Sequence, residues 1–374
     1  MRAVPEPDAD PTVGGPGGGV LSFRAVDRVP TAQYVESMAL HLHTCKPGFE
    51  ETLARELALY GMREPEGGDG FVLASTRGTS SPVDLCYAVF SVLDIREVAT
   101  TSVNAMAGAL CDLFWECFQG ERLDNPWFLH MDSVPHEAVA GRMRTVQTEF
   151  ERRLRGKMSR VAKLASTELP GDERERRGFF AYFVDADHVL AGSCLRFWGQ
   201  RRMRDNPRAP SRSFLKAEEA FALLGQSPVR GELVVDLGAS PGGWSFSAAE
   251  RGAAVCAVDN GPLRAGALEH PHITHVREDA FHYRPPGGRR CDWLLCDLLE
   301  DPNRVVEQIL LPWLDAGWCR RFVVNLKVGK MDPVELLRRL RAVEATGLQR
   351  RCERLAVRQL FHDREEITCM GTSA

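Results

Sequence analysis

Residues 234–243 read Val-Val-Asp-Leu-Gly-Ala-Ser-Pro-Gly-Gly, and a tryptophan follows at Trp244. The apolar run predicts a strand that ends at Asp236, and the glycine-rich turn after it predicts a helix that opens at Gly242. Glycine has no Cβ, so the backbone of such a turn can approach a ligand closely. Ligands of open α/β sheets bind at the carboxyl ends of the strands. The stretch therefore predicts one strand of an open α/β sheet, with a ligand at the turn after it.

The sequence after residue 213 alternates between apolar runs and helical patterns. The predicted strands are 233–238, 254–259, 273–278, 292–297 and 321–326, and the segments between them include predicted helices at 302–315 and 333–346. This alternation is typical of a doubly wound, mostly parallel sheet. Two further runs, 353–360 and 366–371, are separated by a short polar turn and predict a terminal hairpin.

The sequence before residue 213 predicts a different organisation. Residues 1–36 predict a disordered tail, because a stretch rich in glycine, proline and aspartate buries too little apolar surface to order itself. Two small α+β parts follow, at 37–126 and 127–200, and a basic linker at 201–212 leads to the α/β domain at 213–374. Within the second part, the helical pattern at 144–165 carries Arg152, Arg153, Arg155, Lys157, Arg160 and Lys163. Such a face either binds RNA or is a solvated face whose arginines pair with Glu149 and Glu151.

Composition limits the classes of protein that this chain can be. It has 374 residues, 44% of them apolar, and a net charge of −4, so any attraction to nucleic acid must come from local patches. The 11 cysteines form no Cys-x-x-Cys pair, which argues against a disulfide framework or a zinc site. The chain contains no long apolar run or signal core, so we expect no membrane span and a cytoplasmic location. A loop with three histidines precedes residue 276, but we expect no metal there.

Aspartates end the first three predicted strands. They are Asp236, Asp259 and Asp279 in chain order, and Asp297 closes the fourth strand. A carboxylate is an acceptor that can take two donors, such as the two hydroxyls of a ribose. Each aspartate alone could equally cap a helix. Three at successive strand ends predict a nucleoside site.

Lys327 ends the fifth strand, where a lysine is costly without a partner. Lys216 lies on a helix before the first strand, and together with Asp297 and Glu365 it can reach the same sheet edge. Lysine acts as a base only when its pKa falls from about 10.4. We expect the second lysine and burial to lower this pKa, while a carboxylate raises it again and fixes the geometry of the lysine. Glu366 is the alternative to Glu365, because alternation along a strand lets only one of them face the site.

The dinucleotide pattern Gly-x-Gly-x-x-Gly is absent from the first turn, and the motifs instead resemble one family. These motifs are Ala209 to Lys216, Asp236 to Trp244, Val258 to Pro262, Arg277 to Asp279, Gly317 to Arg320, Asn325 to Lys327 and Arg358 to Glu366, with a weaker match at Cys45 to Glu50. They are similar to those of the bacterial large-subunit rRNA ribose 2′-O-methyltransferase M family.

The resemblance implies a Rossmann-like S-adenosylmethionine (SAM) methyltransferase domain, preceded by ferredoxin-like and THUMP RNA-binding parts. It implies methylation of a cytidine ribose in the peptidyl-transferase region of large-subunit rRNA, with Lys327 as proton acceptor. The residues that it implies for SAM binding are Ser213, Ser240, Pro241, Gly242, Gly243, Asp259, Asp279 and Asp297.

Other functions stay open at this point. The lysines and acids do not choose among RNAs, so a tRNA or another RNA is an alternative substrate. A non-catalytic RNA-binding ribosome-assembly factor is a second alternative, although the presence of Lys216, Asp297, Lys327 and Glu365 argues against it. A base methyltransferase is disfavoured, because Cys296-Asp297-Leu298-Leu299 is not the motif that such enzymes carry after the fourth strand.

Overall fold

A computed structural model describes residues 38–77, 84–171 and 173–374. The predicted tail at 1–36 lies outside the described residues. Residues from 38 onward belong to one compact unit.

The N-terminal part combines strands and helices, as the sequence predicts. Its strands are β1 (Met38–Cys45), β2 (Arg63–Gly68), β3 (Phe71–Arg77), β4 (Ala88–Leu93), β5 (Arg96–Ala99), β6 (Trp127–Ser133), β7 (Ala165–Ser166), β8 (Arg176–Phe183) and β9 (His188–Phe197). Its helices are α1 (Glu50–Leu59), α2 (Val103–Phe118), α3 (Glu137–Lys157) and α4 (Ser159–Lys163).

These strands form a single sheet in the order β2-β3-β1-β4-β9-β8-β6-β7, with β5 pairing to β9. The predicted boundary between residues 126 and 127 therefore does not divide two sheets, because β4 pairs with β9 across it. Alternation along β8 builds both faces of the core. Phe179 stacks on Phe150 of α3 with ring centroids 5.5 Å apart, whereas Phe180 turns to the opposite face and lies against Phe90 of β4.

Strand β5 ends at Ala99, and the Ser102 hydroxyl caps α2 by accepting a hydrogen bond from the Ala105 amide at 3.4 Å. One N-terminal helix differs from its predicted form. The helix predicted at 144–165 is longer at its start and is interrupted at Met158, where α3 gives way to α4.

The C-terminal part is the predicted α/β domain. Its strands are β10 (Leu233–Leu237), β11 (Ala254–Val258), β12 (Ile273–Val276), β13 (Cys291–Cys296), β14 (Cys319–Lys327), β15 (Cys352–Arg358) and β16 (Glu366–Ser373). Its helices are α5 (Phe214–Leu224), α6 (Gly243–Ala249), α7 (Ala265–Leu268), α8 (Pro302–Val305), α9 (Leu311–Asp315) and α10 (Pro333–Arg341). A π-turn joins α8 to α9, so the predicted segment 302–315 is helical throughout, whereas the one predicted at 333–346 ends at Arg341.

The C-terminal sheet has the order β12-β11-β10-β13-β14-β16-β15. Strands β10 to β14 are parallel, and the hairpin of β15 and β16 adds to β14 in the antiparallel sense. The predicted Rossmann-like class is confirmed. Since parallel strands present their carboxyl ends at one edge, the residues just after β10, β11, β13 and β14 meet there.

Buried charges link the two parts of the chain. Arg341 of α10 pairs with Glu56 of α1 at 2.9 Å, and the fully buried Arg358 of β15 pairs with Asp84 at 2.5 Å. The Glu56 carboxylate also accepts the amide hydrogens of Cys86 and Tyr87. Because these carboxylates lie in the N-terminal part and the arginines in the C-terminal part, the ion pairs fix the contact between the two sheets.

Candidate active site

The turn after β10 needs glycine at two positions. Gly238 has a φ of +79°, and a Cβ there would lie 2.5 Å from Cδ2 of Leu298. Gly242 has a φ of +107°, and its Cβ would lie 2.5 Å from the Cβ of Ala267. Both the conformation and the space exclude a larger side chain, so the turn keeps its backbone open at the sheet edge.

The predicted cofactor residues gather around this turn. The Asp259 carboxylate accepts the amide hydrogens of Ser240 at 3.0 Å and Gly261 at 2.6 Å. The Ser213 carbonyl accepts the indole N–H of Trp244 at 2.9 Å. Asp259 and Asp279 both line a cavity of about 260 Å³. Since each carboxylate oxygen has two lone pairs, Asp259 can accept further donors from a ligand in that cavity.

Asp236, at the carboxyl end of β10, is almost fully buried. Its Oδ2 accepts a hydrogen bond from the Ser245 hydroxyl at 2.6 Å, and its Oδ1 has no hydrogen-bond partner among the residues that the structure describes. Burial raises the pKa of Asp236 to about 7. A buried acceptor without a donor is unfavourable on its own, and a ligand that brings a donor would relieve it.

Two lysines and two acids form a cluster at the same edge. The Lys327 Nζ donates to Asp297 Oδ1 at 2.5 Å and to Glu366 Oε1 at 2.9 Å. Lys216 Nζ donates to the other oxygen of Glu366 and lies 3.9 Å from Asp297 Oδ1. The four side chains are only 10–17% exposed. We call Lys216, Asp297, Lys327 and Glu366 the lysine–acid cluster.

The prediction of Glu365 as a member of this cluster is wrong, and its stated alternative, Glu366, takes the place. Glu366 pairs directly with Lys327 across β14 and β16, so both side chains point to the same face. Glu365 is exposed and contributes only its carbonyl, which accepts the Val328 amide hydrogen at 3.0 Å. The register of the hairpin thus decides between two adjacent glutamates.

Two polar residues join the cluster without having been predicted. Asn325 Oδ1 accepts from Lys327 Nζ at 2.7 Å, and Asn325 Nδ2 donates to Asp363 Oδ1 at 2.9 Å. Asp363 is itself buried, and burial raises its pKa. Asn325 could have been found from the sequence, because it lies two positions before Lys327 on the same strand and so faces the same side.

Several known proteins are similar to this chain in sequence. The FtsJ-like methyltransferase family matches residues 209–316. The ribosomal RNA large subunit methyltransferase M of Alkalilimnicola ehrlichii is 33% identical over 350 residues, which are 87% of this chain and 92% of that protein. The protein of the same name from Halorhodospira halophila is 33% identical over 340 residues, 87% of this chain and 94% of its own length. The chain belongs to the ribosomal RNA large subunit methyltransferase M family.

Membership of the methyltransferase M family confirms the predicted class of enzyme and its cofactor: the chain is a SAM-dependent RNA methyltransferase. A solved structure of TrmN from Thermus thermophilus is 16% identical and covers 90% of this chain and all of its own, with a TM-score of 0.34. At that score it adds nothing to the assignment, which rests on the sequence relatives.

The residues around the glycine turn fit the cofactor of the methyltransferase M family. The glycines of the turn let a ligand approach the backbone closely, and Asp259 can accept further hydrogen bonds from hydroxyl groups. Asp236 Oδ1 is a buried acceptor to which none of the described residues donates. Ser213 and Gly243 lie together, since a Cβ on Gly243 would be 2.8 Å from the Ser213 hydroxyl. These features give a SAM molecule an electronegative, open edge to bind.

The pKa of Lys327 departs from its expected direction. Burial lowers this pKa, but the carboxylates of Asp297 and Glu366 raise it by more, so the net shift is upward. The sequence predicts a downward shift from Lys216 and burial, and this prediction is wrong. The two short ion pairs outweigh both effects because opposite charges in contact favour the charged form.

The basic helix of this family member pairs most of its arginines internally. Arg152 and Arg153 both contact Glu149 at 2.7 Å, and Arg155 reaches Glu151 at 3.4 Å. These are the pairings that the sequence predicts for a solvated face, and RNA binding by this helix stays a prediction. Within 38–77, 84–171 and 173–374, no three acidic, histidine or cysteine side chains are placed to hold a metal ion, and no helix has the length and apolar character to cross a membrane.

Proposed function

We propose that this enzyme transfers a methyl group from SAM to the 2′-oxygen of a cytidine ribose in large-subunit rRNA, within the peptidyl-transferase region. The proposal rests on one observation above others: Lys327 Nζ is held between Asp297 and Glu366 at the carboxyl edge of the sheet, next to the glycine turn. The names of the relatives, which refer to large-subunit ribosomal RNA, support the choice of RNA.

A ribose hydroxyl is a weak nucleophile and needs a base placed against it. SAM supplies a methyl group on a positively charged sulfur. In the proposed reaction, Lys327 takes the proton of the 2′-hydroxyl while that oxygen bonds to the methyl carbon. The bond between this carbon and sulfur breaks, and S-adenosylhomocysteine leaves with the electron pair. Asp297 and Glu366 orient Lys327. Lys216 shares the Glu366 carboxylate and so limits how far this carboxylate raises the pKa of Lys327.

Lys327 must lose a proton before it can serve as a base. In the structure the two carboxylates hold it as an ammonium, because they raise its pKa. The positively charged sulfur of SAM, if bound at the neighbouring strand ends, would oppose the two carboxylates and lower the pKa of Lys327. We therefore propose that Lys327 becomes a base only when SAM is bound.

The test is methyl transfer from radiolabelled SAM to large-subunit rRNA that lacks the modification, followed by digestion to nucleosides. Label in 2′-O-methylcytidine with the wild type, and none with Lys327→Ala, is the expected result. Label in a methylated base, or equal label from both proteins, contradicts the proposed reaction or the proposed base. No label in this rRNA but label in tRNA would select the alternative substrate.

A further inference from the structure

We propose that Lys46, from the N-terminal sheet, is a positioning residue of the active site: it fastens the turn at 359–365 that carries Asp363 and leads into Glu366. This inference rests on the proposed function, because it assigns Lys46 a part in holding the lysine–acid cluster. The cluster itself contains residues from the C-terminal domain alone. Lys46 would give the N-terminal part of the chain a direct contact with the catalytic machinery.

The loop that carries Lys46 is well defined. It begins at the end of β1 and reads Cys45-Lys46-Pro47-Gly48-Phe49-Glu50. This stretch is the weaker motif match given above, and it has no assigned role. The Glu50 carboxylate accepts the amide hydrogens of Gly48 at 2.9 Å and Gly70 at 2.8 Å, and Phe49 stacks on Tyr87 with ring centroids 5.9 Å apart. The hydrogen bonds of Glu50 and the stacking of Phe49 therefore restrain the backbone that carries Lys46.

The ammonium group of Lys46 reaches the other domain. Lys46 Nζ donates to the carbonyl oxygen of Phe361 at 3.2 Å and to the carbonyl oxygen of Asp363. Lys46 is 315 residues from Phe361 and 317 from Asp363 along the chain, so neither contact is local. A charged donor on two carbonyls of one turn restrains its backbone more strongly than neutral hydrogen bonds do.

The opposite side of the turn is held by Glu219, one helical turn beyond Lys216 on α5. Its buried carboxylate accepts the amide hydrogens of Phe361 at 2.7 Å and His362 at 3.1 Å. Glu219 therefore binds the N–H groups of the turn, and Lys46 binds its carbonyls. Removing either partner leaves backbone groups of the turn without their hydrogen-bond partner, and the turn can shift.

A shift of the turn is transmitted to Lys327 through two side chains. The Asp363 carboxylate accepts from Asn325 Nδ2, and Asn325 Oδ1 accepts from Lys327 Nζ at 2.7 Å. Three residues after Asp363, Glu366 makes its own bond to Lys327 at 2.9 Å. Displacing reacting groups by about 1 Å lowers rates by about 100-fold. The path from Lys46 to Lys327 thus contains only Asp363 and Asn325.

The experiment compares wild type, Lys46→Met and Lys46→Arg, with Arg63→Met as a control that removes an exposed cation from edge strand β2 of the same sheet. We expect Lys46→Met to lower kcat about 10- to 100-fold at saturating SAM and RNA, with both KM values within about twofold of wild type. Lys46→Arg, which keeps a charged donor, should recover most of kcat. Arg63→Met should behave as wild type.

Two results overturn the inference. If Lys46→Met raises the KM for RNA and leaves kcat unchanged, Lys46 is a phosphate contact and not a positioning residue. If neither parameter changes, the contacts do not matter to the reaction. Should the Met variant fail to fold, Lys46→Gln is measured instead, and a kcat equal to wild type overturns the inference equally. Failure of the proposed function is seen separately, as the absence of ribose methylation by the wild type.

Discussion

Replacing Glu366 or Glu365 with glutamine distinguishes an effect on the lysine–acid cluster from an effect on its surroundings. Glu366 accepts hydrogen bonds from both lysines, whereas Glu365 is exposed. Glu366→Gln keeps the size of the side chain and removes its charge. Because that carboxylate raises the pKa of Lys327, its removal lowers this pKa. Glu365→Gln is the matched control, since it makes the same chemical change one residue away.

The magnitude depends on the distance of 2.9 Å between Lys327 Nζ and Glu366 Oε1. Opposite unit charges at this distance attract by about 6 kcal/mol at an effective dielectric constant of about 20. One pKa unit corresponds to about 1.4 kcal/mol, so the undivided charge of Glu366 would raise the pKa of Lys327 by about four units. Since Glu366 divides its charge between two lysines and both partners are slightly exposed, we expect a fall of about one to two units.

The assay is the single-turnover rate of methyl transfer between about pH 6 and pH 10. For Glu366→Gln we expect the acid limb of the rate profile to move about one to two units toward lower pH, because the base is freed of its proton earlier. The plateau should fall by about 10- to 100-fold, since the lysines lose a fixed partner. Glu365→Gln should leave the limb in place and the plateau within about twofold. An acid limb that stays where it is in Glu366→Gln, or moves upward, refutes Lys327 as the base.

Three further predictions concern the turn, a buried acid and the contact between the sheets. Gly238→Ala should weaken SAM binding at least tenfold by calorimetry, because its Cβ would lie 2.5 Å from Leu298; unchanged affinity contradicts the role of the turn. Asp236 has a pKa raised by burial to about 7, so the folded state binds the extra proton and the free energy of unfolding falls as pH rises from about 4 to about 7. Urea unfolding of Asp236→Asn should show a shallower fall over that range, and an unaltered slope counts against this account. Arg358→Met leaves Glu173 without this cation, whereas Asp84 keeps Arg341 at 3.0 Å. It should lower the free energy of unfolding by about 1 to 3 kcal/mol in the same assay, because the two carboxylates are partly exposed, and a loss under about 0.5 kcal/mol contradicts the pairing.

The α/β architecture and most of the chemistry at the sheet edge are encoded locally in the sequence. Apolar runs alternating with helical patterns predict parallel strands, and parallel strands bring the residues after their carboxyl ends to one edge. Asp259, Asp297 and Lys327 could therefore be assigned to one site without coordinates. The glycines of the first turn could also be recognised from the sequence, because a turn with positive φ values requires glycine locally.

Contacts between groups far apart along the chain were decided by the folded arrangement alone. The choice of Glu366 over Glu365 depends on the register of β14 and β16, and a shift of one residue would exchange them. The single N-terminal sheet depends on the pairing of β4 with β9, which no local pattern encodes. The upward pKa shift of Lys327 and the reach of Lys46 to the turn at 359–365 have the same origin. Distances and burial set electrostatic strength, and they exist only once the chain has folded.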